Sequence, residues 1–458
     1  MNPTCERMAD SDPLQCAQHG LWTKAVLVFP QTMHRQQPTQ IMVPATDSSQ
    51  APWTLTARWI FPVSSPPIAN GVLTIAGERI LSISSAGRQT ADMDLGDVAI
   101  LPGFVNAHTH LDLSGLRGCC PPRSDFTAWL RQVVAHRRAT TPEQIVADVR
   151  AGLAESLRHG TTLLGDISAG GASWPLLADA PFRSVIFYEI LGLTKERSEQ
   201  AWEAARIWLE THSATNHCRP GLSPHAPYSV RADLFVRAAQ LAGNIRCPLA
   251  IHLAESREEL ELLQYHRGPF IPFLKDLGVW DADGLASSLT SVMNWCNQDV
   301  PKLFVHGNYL EASMHFPHRS ALIYCPRTHA AFGHAPHPFR SFLARGLRVA
   351  LGTDSLASNP DLSILAEVRH LHRQCPDVAG EVLLRMATLS GAEALGWADE
   401  TGSLEAGKSA DLVVVPLAPG AEDRPYQRLF DSDLPVQRVL CRGQWIEPLT
   451  EGSSPTRG

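Results

Sequence analysis

The sequence predicts an α/β protein, a TIM-like (β/α)8 barrel with a small β-sandwich domain built from both ends of the chain. Three observations predict it. Eight near-continuous apolar runs alternate with amphipathic segments through the middle of the chain, the pattern of a parallel sheet covered by helices. Both ends carry short strand-like segments punctuated by turn residues. Several of the apolar runs stop at a histidine or an acid, where a closed barrel of this kind carries its chemistry.

In chain order, residues 1–50 are polar, irregular and rich in Gln, Pro, Thr and Ser, and read as a poorly ordered tail. Met42 heads a stretch that runs into patterned sequence and marks an alternative start. TLTARWIFP, GVLTIAG and RILSISS then read as strands separated by turns at Asn70-Gly71 and Ala76-Gly77. ADLVVVPL (410–417) and PVQRVLCRGQWI (435–446) repeat that character, so residues 51–101 and 402–447 are expected to form one small sheet domain. The barrel, residues 102–401, takes its strands from AILPGFVNA, TTLLGDI, RSVIFYEIL, RPGLSPH, PLAIHLAE, KLFVHGN, SALIYCP and RVALGTD. DFTAWLRQVVAHRR, PEQIVADVRAGLAESLRHG and VRADLFVRAAQLAG read as helices, with Val149, Leu153 and Leu157 on one helical face. The competing architecture, an open doubly wound sheet, is disfavoured because no GxGxxG follows the first strand. Residues 448–458 read as a second tail.

Composition excludes some functions. Hydrophobic residues make up 44% and charged residues 19% of the 458, enough for a sizeable core. A net charge of -7 gives no support for nucleic acid or anionic membrane as a partner. No apolar run approaches the roughly 20 residues that span a bilayer, and the N-terminus lacks a signal-peptide pattern. The ten cysteines are scattered apart from Cys119-Cys120 and form no CxxC pair, so reduced thiols and a cytoplasmic location are expected.

The strongest local signal is PGFVNAHTH. His108 and His110, two apart on an extended segment, project from one face and can both reach one ion. Three later strands end in the same manner, at His252 with Glu255, at His306 and at Asp354. A lone HxH is weak evidence, and any one of these groups could be a hydrogen-bonded core residue. Four strands ending so at one rim carry the argument.

With GLSPHAPYS, HLAES, FVHGN, CPRTH and GTDSLASNP following PGFVNAHTH in order, and GSLEAGKSADLVVV near the end, the chain resembles the amidohydrolase superfamily. It is most similar to the branch of cytosine deaminase-like and chlorohydrolase-like enzymes, over roughly residues 53–446. The resemblance implies a metal-dependent hydrolase barrel in which His108, His110, His252 and Asp354 hold one divalent ion, zinc first and ferrous iron as the alternative. Binuclear members bridge two metals with a carboxylated lysine on the fourth strand. Here no lysine lies between Lys195 and Lys275, so one metal is expected. Asp354 is expected to accept the proton of the attacking water, His306 to orient it, and Glu255 to serve as general acid. Glu255 also suits a helix N-terminus, because SREELELL follows. HxE with PCxxC, and HExxH, are absent, which removes the cytidine deaminase and zincin architectures.

Substrate contacts are expected from the loops beyond the strands: Trp129, Glu189, His225, Arg327 and His329. Trp129 equally suits packing of the first barrel helix, and Arg327 equally suits solvent. His329 stands where related chains often carry asparagine in CPxSN. HTHLDLS, DFTAWL, SPHAPYS and GTDSLASN look most like the aminodeoxyfutalosine deaminase group. That implies an aminohydrolase acting on a purine-like or related small heterocycle, and a homodimer by analogy. The alternatives are a chlorohydrolase or N-alkylaminohydrolase of a triazine-like ring and a non-catalytic barrel scaffold.

Overall fold

The computed structural model describes residues 51–85, 91–122, 125–421 and 423–446; both expected tails and the alternative start at Met42 lie outside these residues. Eight parallel strands form the central sheet in sequential order: β1 Phe104–Thr109, β2 Thr161–Ala169, β3 Arg183–Ile190, β4 Cys218–Pro224, β5 Leu249–Leu253, β6 Lys302–His306, β7 Ser320–Tyr324 and β8 Arg348–Leu351. The edges meet through the backbone. The N–H groups of Thr353 and Asp354, just past β8, both donate to the His108 carbonyl on β1 at 3.1 Å. This closure brings His108 and Asp354, which lie at opposite ends of the barrel sequence, to the same seam.

Side-chain alternation along the strands separates an inner layer from an outer one. Val105, Leu163, Val185, Phe187, Ala250, Leu303, Val305, Ile323 and Ala350 form one buried cluster. Continuing two residues along the same faces reaches Glu189 on β3 and His252 on β5. The helices begin where the chain supplies a cap. Asp125 accepts from the Ala128 N–H at the start of α1 (Phe126–Ala139), and Thr141 accepts from Gln144 ahead of α2 (Pro142–Arg158). Val149, Leu153 and Leu157 are buried on the inner face of α2.

The sequence on either side of the barrel pairs directly. Leu412–Pro416 runs antiparallel to Val98–Pro102, with Val413 opposite Leu101. A second sheet, including Trp53–Thr56 and Val72–Ala76, shares an apolar cluster with the first through Leu55, Ile75, Ile100 and Val414. Two of the expected strands divide. TLTARWIFP becomes Trp53–Thr56 and Trp59–Ile60, which lie in different sheets. AILPGFVNA becomes Val98–Pro102 and β1. The second break falls at Gly103, whose N–H donates to Asp411 (3.0 Å) and whose missing side chain leaves the space filled by Thr162. No helix among the described residues is long and apolar enough to cross a membrane. Cys218, Cys247, Cys296, Cys325, Cys375 and Cys441 carry free thiols.

Candidate active site

His108, His110, His252 and Asp354 converge at the mouth of the barrel. Nε2 of His110 lies 3.3 Å from Nε2 of His252. Asp354 Oδ1 lies 3.6 Å from Nε2 of His108 and 3.7 Å from that of His110. An ion about 2.1 Å from each donor calls for donors about 3.4 Å apart in tetrahedral geometry, close to these separations. All four residues are buried. Both ring nitrogens of His108 and Nδ1 of His110 have no hydrogen-bond partner, a costly condition for buried imidazoles unless something ligates them. The donor set therefore fits a divalent cation. His252 is presented for that role: its Nδ1–H donates to the His225 carbonyl (3.0 Å), which leaves Nε2 facing the cluster.

Three residues at these strand ends adopt the left-handed backbone region that non-glycine residues avoid: Ala254 (φ 54°), His306 (φ 66°) and Asp354 (φ 57°). Each such residue costs on the order of 1–3 kcal/mol and persists only where its surroundings hold it. Here each is held. The Glu259 carboxylate, on α3 (Arg257–Tyr265), accepts from the N–H groups of Ala254 (3.1 Å) and Glu255 (2.9 Å). His337 Nε2–H donates to the His306 carbonyl at 2.8 Å, its Nδ1 accepting from Phe339. The Asp354 carbonyl accepts from the hydroxyls of Thr109 (3.0 Å) and Thr353 (3.1 Å), while Ser358 donates to its Oδ2 at 2.7 Å.

The charge pattern divides two carboxyl groups. Burial pushes Glu255 well above the usual carboxylate range, and the like charges of Asp354 and Glu259 push it further. Asp354 is equally buried, but its place among His108, His110 and His306 holds it far below that range. His306 links the two, with Nε2 at 3.4 Å from Glu255 Oε1. Oxygen and nitrogen atoms of Glu255, His306 and Asp354 lie within 4.8 Å of one another. Burial lowers His110 and His306 to about 3 and His252 well below its ordinary value. All three imidazoles are neutral at physiological pH, as ligation demands.

The expected substrate contacts separate into two groups. Glu189 and His225 stand beside the histidine cluster, His225 with its ring centroid 4.7 Å from that of His252. Trp129, Arg327 and His329 are each engaged by neighbouring protein groups. Trp129 packs edge-on to Phe332, and its indole N–H donates to the Cys120 carbonyl at 3.1 Å. His329 Nε2–H donates to the Ala335 carbonyl at 2.9 Å and shapes its own loop. Arg327 grips Asp361 at 2.6 Å and Glu367 at 2.7 Å, tying the Pro326–Ala331 helix to the Ile364–Gln374 helix. Replacing Arg327 by methionine should therefore lower unfolding stability by about 3 kcal/mol, since the buried Glu367 loses its cation and keeps only the hydrogen bonds from Asn359 and the residue-327 N–H. Urea denaturation measures that loss, and KM of the folded fraction should stay unchanged.

Sequence reasoning passed over the residues that hold the site. Glu259, Asn308, His337 and Ser358 lie inside or beside quoted motifs, and Ser358 follows Asp354 by one helical turn, a spacing that could have flagged it. Arg137 gave no such signal. It reaches from α1 to Glu189 (2.6 Å) and Asp112 (3.3 Å), partners distant in sequence.

Comparison with known proteins bears on the family and the fold. A family model described as the amidohydrolase family matches residues 99–446. The 5-methylthioadenosine/S-adenosylhomocysteine deaminase of Moorella thermoacetica is 30% identical over 377 residues, covering 78% of this chain and 83% of that protein. The aminodeoxyfutalosine deaminase of a Nitratiruptor species is 28% identical over 360 residues, covering 75% and 86%. Among solved structures, Helicobacter pylori aminofutalosine deaminase in complex with methylthio-coformycin superposes with a TM-score of 0.76 at 24% identity, over 86% of this chain and all of that one.

Proposed function

The chain belongs to the amidohydrolase family, and on that premise we propose that it is a metal-dependent aminohydrolase that removes an amino group from a purine-like ring. His108, His110, His252 and Asp354 would hold a single divalent ion, zinc or ferrous iron, both of which suit imidazole and carboxylate donors. When bound, such an ion makes a water acidic enough to attack near neutral pH. The remaining work falls to side chains. Asp354, ionised, takes the proton of the attacking water on Oδ1, while Ser358 keeps Oδ2 engaged. His306, neutral and 3.4 Å from Glu255, offers its Nε2 to the charge that develops at the attacked carbon. Glu255, protonated, would give its proton to the adjacent ring nitrogen; the proton taken up by Asp354 would then pass to the amino group, which leaves as ammonia while Glu255 recovers a proton from the new hydroxyl.

The observation that carries this reading is the opposed pair of carboxyls, Glu255 pushed up and Asp354 held down in one buried cluster. Two like groups driven apart by their environments make an acid and a base. The deaminase relatives support a purine-type ring.

The test is product analysis. Incubation with adenosine, 5′-methylthioadenosine and aminofutalosine should release ammonia stoichiometrically from at least one of them. Chloride or alkylamine from a triazine, with no ammonia from any adenine nucleoside, would overturn the reading. The pH profile carries a sign. The raised Glu255 holds its proton to higher pH than an ordinary carboxyl, so kcat should fall on the alkaline side as that proton is lost. A kcat that climbs steadily into alkaline pH would contradict the role of Glu255.

A further inference from the structure

The loop that follows β7 carries a buried histidine that the proposed chemistry does not use, His337. It reaches the site through the backbone. A backbone N–H only donates and a carbonyl only accepts, so its two ring contacts fix its tautomer. Nδ1 accepts from the Phe339 N–H at 3.0 Å, and Nε2–H donates to the His306 carbonyl at 2.8 Å. The ring stacks on Tyr324, at the end of β7, with centroids 3.8 Å apart and an interplanar angle of 19°. His329 steadies the same loop. Its Nε2–H bond to the Ala335 carbonyl (2.9 Å) fixes the chain two residues before His337, and the two rings pack edge to face at 5.6 Å. The histidine at 329, where related chains often carry asparagine, thus serves the placement of a second histidine.

The peptide unit joining His306 to Gly307 is gripped at both ends. Its N–H donates to the Leu253 carbonyl at the end of β5 (2.9 Å), and its carbonyl accepts from His337. Both flanking residues are left-handed, His306 with φ 66° and Gly307 with φ 64°. Glycine adopts that region freely, but a histidine does so at a cost. Relaxation of His306 to an ordinary backbone conformation would turn this carbonyl away and swing the Cα–Cβ bond. Nε2 would then leave its place 3.4 Å from Glu255. The bond from His337 opposes that relaxation, because breaking it leaves a buried donor and a buried acceptor unpaired. We propose that His337 is a positioning residue for turnover: it holds the 306–307 peptide so that the His306 imidazole faces Glu255 and the reacting carbon. This rests on the aminohydrolase reading above.

Two amides separate this role from packing. In His337→Gln the amide N–H2 can stand where Nε2 stood and donate to His306, with nothing in the place of Nδ1. In His337→Asn the shorter side chain puts its amide oxygen where Nδ1 stood, keeps the Phe339 bond and falls short of His306. Each variant loses one hydrogen bond and the stacked ring, so a purely structural residue would give equal effects. Kinetics of the full-length proteins use whichever of adenosine, 5′-methylthioadenosine and aminofutalosine releases ammonia fastest. Asparagine should lower kcat by about 10²-fold, the effect of a misplacement of roughly 1 Å, with KM and metal content unchanged. Glutamine should restore most of kcat. If the asparagine protein does not fold, His337→Phe, which keeps a ring on Tyr324 and lacks the donor, takes its place with the same expected loss. Crystal structures of wild type and the donor-less variant give a readout that needs no turnover: His306 should leave the left-handed region and its Nε2 should move out of reach of Glu255. Equal kcat in the two amide variants, a loss confined to KM or metal content, or an unmoved His306 in the donor-less variant would overturn the positioning role. A displaced His306 in that variant, with no ammonia released by wild type from any of the three nucleosides, sinks the aminohydrolase reading alone.

Discussion

Replacing Glu255 by glutamine should lower kcat by about 10²–10⁴-fold, the usual worth of a positioned general acid, while leaving the metal content of the protein unchanged. The expectation follows from the surroundings of this carboxyl. It is buried and lies beside Asp354 and Glu259, so removing its proton would place a third negative charge in the same pocket. Glutamine keeps the shape and the contact to His306 but has no proton to deliver. Because Glu255 shares no oxygen with the proposed ligand set, metal analysis separates this loss from a collapsed site. Asn308 donates to the Glu255 carbonyl (2.8 Å) and Glu259 accepts from its N–H (2.9 Å), so the backbone geometry should survive the change. A Glu255→Gln protein with near-normal kcat would remove the acid from the mechanism.

The second large effect is expected at Asp354. Alanine there should remove both the ion and turnover, because one of four donors and the proton acceptor are lost together. Asparagine should divide the two roles. Its carbonyl oxygen can still face His108 and His110, so part of the metal should remain, yet kcat should fall by about 10³-fold or more for want of a base. Metal analysis beside initial rates on both variants distinguishes the two roles. Full retention of metal and rate in Asp354→Ala would contradict the assignment.

The sequence made the barrel legible because its strands are buried on both faces and so read as unbroken apolar runs. Residues such as His252 and Asp354 stood out because they interrupt those runs at their ends. Other features left no trace in a linear pattern. The change of sheet at Gly103 occurs inside one apolar run, and only the packing of Thr162 and the hydrogen bond to Asp411 reveal it. Arg327 read as a loop arginine because its partners Asp361 and Glu367 come 34 and 40 residues later. Trp129 is drawn into the layer of Phe126 and Phe332 by apolar packing, which spacing on α1 alone could not distinguish from a pocket wall. The left-handed residues Ala254, His306 and Asp354 were likewise invisible, because no glycine marks them; side-chain hydrogen bonds hold them instead.

The account depends on one ion shared by side chains from β1, β5 and the end of β8, with no lysine on β4 to bridge a second. Elemental analysis of the full-length protein, purified without chelator, tests this most directly. The account predicts about one zinc or iron per chain, lost in Asp354→Ala. A protein that turns over its substrate with no bound metal, or that needs two ions per chain, would contradict it.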